Sequence, residues 1–221
     1  MKEKWKIILP IALMGVLAVS MWPGMSIPIA RFFHLPHGQN LSPAYAIAFC
    51  AGIYFPKRLR WWMPLTMFAI LDMALNHHYG VDLVNRYLFL NLGAYALLIW
   101  LGTRYSVRNT WFKQVRGGIL GAIIFYLVTN TASWLWDPAY AKTLLGWLQA
   151  LTIGAPGFPP TIQFFFNSLL SGGLFTGLFA GAMKLAGAKE VDESEQEQPE
   201  SEPEKADAPD APIPAPEESK A

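Results

Sequence analysis

Ile70-Leu71-Asp72-Met73-Ala74-Leu75-Asn76-His77-His78 closes an apolar run that opens at Trp61-Trp62-Met63-Pro64-Leu65. An acid lies inside the run, an amide follows four residues on, and two histidines end it. Helical positions four apart share one face, so Asp72 and Asn76 point the same way. In a segment that crosses a bilayer, an ionisable group costs about 3 kcal/mol on insertion scales and reads as functional. Such an acid needs a partner, and His77, His78 and Arg86 are the candidates nearby.

The rest of the chain supports a membrane reading of that run. Hydrophobic residues make up 53% of the 221, and 12 of the 16 acids lie beyond Gly187. Before that point the acids are Glu3, Asp72, Asp82 and Asp137. A long apolar body with so few acids is expected to be polytopic in a membrane, and the polar tail explains why mean hydropathy is only +0.27. The net charge of +1 averages a basic body and an acidic tail, so it gives no reason to expect nucleic acid. The single cysteine, Cys50, excludes an intrachain disulfide framework and reads as a small packing residue.

Six hydrophobic segments are expected as spans, at residues 5–22, 43–55, 61–76, 86–102, 117–136 and 161–185. The fold class is therefore an all-α membrane bundle, residues 1–186. About 20 apolar residues cross a bilayer as an upright helix, so the segment 43–55 is short and is expected to be broken or shielded by its neighbours. Ala18-Val19-Ser20 also fits the cleavage site of a signal peptide behind Lys2, Lys4 and Lys6, a reading that leaves the later topology unchanged.

Basic residues set the orientation. With the N-terminus inside, Lys2, Lys4, Lys6, Lys57, Arg58, Arg60, Arg104, Arg108, Lys113, Arg116, Lys184 and Lys189 are all cytoplasmic. Arg31, Arg86 and Lys142 fall outside. Both termini are then cytoplasmic in a multi-pass protein of the inner (cytoplasmic) membrane. Residues 187–221 are acidic and proline-rich, and are expected to form a disordered cytoplasmic tail. Residues 144–151 are apolar but too short to cross, and read as an interfacial helix before a proline-rich turn.

This topology converts position into depth. Asp72, Asn76, His77, Asn91, Asn130, Trp134, Gln163 and Asn167 all fall in or near the outer half, and the outer loop adds His34, His37, Gln39, Asn40 and Ser42. The inner halves hold almost nothing comparable. Such asymmetry suits one outward-facing pocket with an apolar floor better than a channel, which needs polar groups at several depths. The ligand-binding candidates are Asp72, Asn76, His77, Asn91, Asn130, Trp134, Gln163, Asn167 and Asn40. Each amide alone also fits interhelical glue worth about 0.6 kcal/mol. The four histidines with Asp72 make a nitrogen and oxygen set, but adjacent histidines cannot both face one helix interior. No metal or cofactor is expected.

Small residues mark close packing, with Gly173, Gly177 and Gly181 in the last segment and Ala44, Ala48 and Gly52 in the second. Packing within the chain is the simpler reading, and a docking face for a membrane partner is the other.

Asn40-Leu41-Ser42-Pro43-Ala44-Tyr45-Ala46-Ile47-Ala48-Phe49, followed by Gly52-Ile53-Tyr54-Phe55, resembles an uncharacterised bacterial family of membrane transport proteins. That family is related to the substrate-binding S components of energy-coupling factor (ECF) transporters. Leu71-Asp72, the stretch Phe125-Tyr126-Leu127-Val128-Thr129-Asn130 with Trp134, and residues 159–185 are also similar. The resemblance implies a six-helix S-component fold with a loop-capped outer pocket. It also implies partners: a transmembrane coupling subunit and ATP-binding subunits. Residues 11–20 lack the Ala-xxx-Ala contact motif common in S components. The start Met1-Lys2-Glu3 lacks the Met-His of cobalt and nickel S components, which favours an organic solute.

No phosphate-binding loop and no nucleophile motif is visible, so a solute-capture subunit is the leading expectation and not an enzyme. The alternatives are an intramembrane enzyme using Asp72 with His77 or His78, and a membrane assembly factor that works through its acidic tail.

Overall fold

In the computed structural model, residues 4–22 and 41–196 are described, with side chains through residue 187. His34, His37, Gln39 and Asn40 of the expected outer site lie outside the described residues. Seven helices are present among the described residues: α1 (Trp5–Val19), α2 (Ala44–Tyr54), α3 (Trp62–His78), α4 (Arg86–Gly102), α5 (Trp111–Trp136), α6 (Leu144–Leu151) and α7 (Thr161–Gln196). The chain divides into a unit of residues 1–186 and a second of residues 187–221.

The first unit is built around α2, whose eleven residues are all buried. A helix apolar on every side belongs in a core rather than on a surface, and α1, α3, α4 and α5 all pack against it. Its composition permits this. Alanines and Gly52 make it slim, and Gly52 meets α4 backbone to backbone: a Cβ there would lie 2.2 Å from the Ile99 carbonyl oxygen. Gly102 answers from α4, where a Cβ would lie 2.1 Å from the Phe49 carbonyl oxygen. Pro56, which cannot continue a helix, follows its end.

A second glycine contact joins α5 to α7. A Cβ on Gly118 would lie 2.6 Å from the Gly172 carbonyl oxygen, and one on Gly172 would lie 2.7 Å from that of Gly118. The expected glycine stripe therefore has partners inside the chain, but its tightest member is Gly172 rather than Gly173. Gly177 faces the Trp111 ring, and the Trp111 indole donates to the Gly177 carbonyl at 2.8 Å.

Side-chain caps start three of the other helices. The Asn85 side chain caps α4 by accepting from the Tyr87 and Leu88 amides, and Thr110 and Thr143 cap α5 and α6 in the same way. After α3, Gly80 takes a positive φ of 67°, which closes the helix with little strain.

By length and composition, α5 and residues 161–187 of α7 are long and apolar enough to cross a membrane. The helices α1, α2 and α4 are apolar but shorter. Two differences from the expected segments matter. Helix α5 begins at Trp111 rather than Gly117, so Gln114 lies inside it. Helix α7 runs on to Gln196, so residues 187–196 are helical where irregular chain was expected. Alanine, glutamate, lysine and glutamine are good helix formers, and the next proline is Pro199.

Candidate functional site

Helices α3 and α4 face each other across the acid. The Asn91 side-chain amide donates from Nδ2 to Asp72 Oδ2 at 3.0 Å, with both residues half-buried. A hydrogen bond to a charged group contributes about 1.5–3 kcal/mol where it forms. The partner of Asp72 is thus Asn91, not His77, His78 or Arg86. Arg86 places its guanidinium 5.3 Å from the rings of both Tyr87 and Trp136. His77 and His78 are exposed, and the His78 ring lies against Trp22 and Tyr79. They belong to the last turn of α3, which has already left the packed bundle. No ion pair reaches Asp72 among the described residues.

One helical turn from this pair lies an aromatic layer. Phe68 precedes Asp72 by four residues on α3, and Tyr95 follows Asn91 by four on α4. Because the two helices run in opposite directions, these residues meet at the same level. Their rings stack with centroids 4.1 Å apart and planes 25° apart. Tyr95 stacks in turn on Phe125 of α5 at 5.2 Å, and Phe125 meets Tyr45 of α2 at 4.9 Å. The Tyr45 hydroxyl then lies 3.4 Å from Ser168 Oγ on α7. Five helices are tied at one level, each ring pair contributing about 0.5–1.5 kcal/mol beyond its burial.

The remaining candidates do not converge on Asp72 through hydrogen bonds. Asn76 donates to the Leu83 carbonyl at 3.2 Å and braces the loop between α3 and α4. Asn130 donates to the Tyr126 carbonyl at 2.8 Å, one turn back on its own helix. The Trp134 indole donates to the Ala141 carbonyl at 2.8 Å. Gln163 is half-buried, and its Oε1 is enclosed with no hydrogen-bond partner among the described residues. Asn167 is buried beside Ser168, at the α7 end of the aromatic layer.

Tyr45, Phe68, Tyr95, Phe125 and Ser168 were not among the sequence candidates. Four of them are apolar or aromatic in apolar runs, where a core role is the default. The spacing of four from Asp72 and from Asn91 was the signal available for Phe68 and Tyr95.

The opposite end of the bundle also holds polar groups, contrary to expectation. Gln114 is fully buried, accepts from the Tyr54 hydroxyl at 2.6 Å and donates to the Ser106 carbonyl at 3.0 Å. It escaped the sequence reading because α5 starts a turn and a half before the apolar run does.

A model of the family of unknown function DUF6580 matches residues 2–197. The chain belongs to that family. The match takes in all seven described helices of this DUF6580 chain and stops just past the end of α7. Neither the curated proteins nor the solved structures contain a match to it. The family description assigns no substrate or activity, so the chemistry of this DUF6580 member has to be argued from its own residues. Among its described residues, no group of three or more histidine, cysteine, aspartate or glutamate side chains is placed to hold a metal ion.

Proposed function

We propose that this protein is a multi-pass membrane transport subunit that captures a small solute at the Asp72 end of its bundle. The observation that carries the reading is the Asp72–Asn91 pair. An acid held inside an apolar bundle by one amide, with no cation beside it among the described residues, is a poor structural element and a good recognition group. It favours a solute with a cationic or hydrogen-bond-donating group. The aromatic layer one turn away gives the bundle a rigid base at that level.

Membrane placement is supported by the surface of the first unit. Trp62, Val16, Phe112 and Leu145 are each at least 70% exposed, in company with many other large apolar side chains. Surfaces of that kind mark contact with lipid or protein. On this reading the six apolar segments span the inner membrane with both termini cytoplasmic. Solute would be delivered to a transmembrane coupling subunit and ATP-binding subunits, in the manner of S components of ECF transporters.

The test is native mass spectrometry of the gently extracted full chain. A retained small molecule that disappears in Asp72→Ala, with co-purifying ATP-binding subunits, supports the reading and identifies the cargo. A chain that carries no small molecule and no partners counts against it. Turnover of a supplied compound that Asp72→Ala abolishes while binding persists would move the protein to the enzymes.

A further inference from the structure

Helices α1 and α3 both pack on α2 but leave a groove of about 900 Å³ between them. Met14 and Ala18 form one wall and Met67 and Leu71 the other, and Thr66 carries the one hydroxyl among the described lining residues. From Trp62 to Ala74 the groove follows α3 for about 18 Å, at 1.5 Å per residue. A solute rich in hydrogen-bonding groups would find few partners among the described lining residues.

The two ends of the groove differ. At one end Trp22 meets the His78 ring with centroids 5.7 Å apart. At the other, the lining residues Leu59 and Trp62 belong to Lys57-Arg58-Leu59-Arg60-Trp61-Trp62, three cations within four positions followed by two indoles. Lys57 and Arg58 are exposed, and Arg60 is steadied at the end of α2 by donating from Nη2 to the Phe55 carbonyl at 3.3 Å. The occupant that matches this surface is apolar along its length and anionic at one end.

We propose that the groove between α1 and α3 binds an anionic phospholipid, with an acyl chain along Met14, Met67 and Leu71 and the phosphate at Lys57, Arg58 and Arg60. This rests on the membrane placement proposed above, which puts the basic end at the cytoplasmic leaflet. Basic clusters at that surface attract anionic headgroups, and tryptophan favours the same depth.

Native mass spectrometry of the detergent-extracted full chain, with phosphatidylglycerol or phosphatidylcholine added, tests the assignment. Phosphatidylglycerol should be retained in preference. Lys57→Gln/Arg58→Gln, which leaves the Arg60 brace intact, should weaken that preference by about fivefold per charge. Ala74→Phe, which fills the groove, should reduce retention of both lipids without changing their ratio. Equal retention of the two lipids by the unaltered chain overturns the proposal, as does a preference untouched by the charge variant. A dimer or a co-purifying protein that Ala74→Phe removes would give the groove to a protein partner instead. Recovery of the chain in the aqueous fraction without detergent would fail the membrane placement itself, whereas a detergent-dependent chain without lipid preference fails this proposal alone.

Discussion

The Gln114 network and the Asp72–Asn91 pair, at opposite ends of the bundle, are satisfied to different degrees. At the basic end, Gln114 is enclosed and both its ends are engaged, by Tyr54 and by the Ser106 carbonyl, whereas Trp5 Nε1 and Arg60 Nε on the same side are enclosed with no hydrogen-bond partner among the described residues. Trp111 reaches the Gly177 carbonyl, and Lys184 donates to the Asn109 carbonyl at 2.8 Å, which fastens the loop before α5 to α7. At the other end, Asp72 has one amide, and Gln163 Oε1 has no partner among the described residues. A saturated network rigidifies, while a half-satisfied one in an apolar setting is costly unless something else completes it. The Gln114 network is therefore read as scaffold, and on the proposed function the Asp72–Asn91 pair is where a ligand is recognised.

The comparison breaks most visibly where α2 meets α4 backbone to backbone. Gly52→Val sets a side chain 2.2 Å from a carbonyl oxygen that belongs to backbone and has little room to shift. It should cost about 3 kcal/mol or more and sharply lower the yield of folded protein, read by size-exclusion profile and thermal melt. Gln114→Ala should follow, at about 2 kcal/mol, because it strands the Tyr54 hydroxyl and the Ser106 carbonyl. A double-mutant cycle with Tyr54→Phe should return a coupling of about 1 kcal/mol. A coupling near zero would remove the distinction drawn between the two ends.

At the other end the expected pattern is reversed. Asp72→Asn keeps an amide-compatible geometry toward Asn91 and should change stability by about 1 kcal/mol or less, yet abolish retention of the solute. A variant that loses stability and solute in proportion would make Asp72 a structural residue. Asn130→Ala should have the smallest effect, about 0.5 kcal/mol, since its amide serves only a carbonyl of its own helix. An effect on solute retention would return it to the site.

How far the candidate site was legible depended on where each partner sits in sequence. Asp72 stood out because a charge in an apolar run is visible one residue at a time. Its bond to Asn91 was not visible, since it depends on the register between α3 and α4, which the loop between them sets. Phe68, Tyr95, Phe125 and Tyr45 were hidden for a related reason: an aromatic ring in an apolar run carries no local sign that distinguishes a layer from ordinary core. Asn130 and Trp134 looked like site residues because a polar side chain in sequence gives no hint that a nearby backbone carbonyl will take its donor.

The sequence by itself determined the helical class, the positions of most helices and, through the match over residues 2–197, membership of a family of unknown function. Apolar periodicity, proline and glycine punctuation, and the caps at Asn85, Thr110 and Thr143 are local properties that act within one or two turns. It also marked α2 as too short to stand alone among its neighbours. Tertiary structure decided that α2 is the hub, that Gly52 meets Gly102 and Gly118 meets Gly172, and that Asp72 turns to Asn91. Those outcomes depend on which helix faces which, and at what height, and both are fixed by packing between segments far apart in the chain.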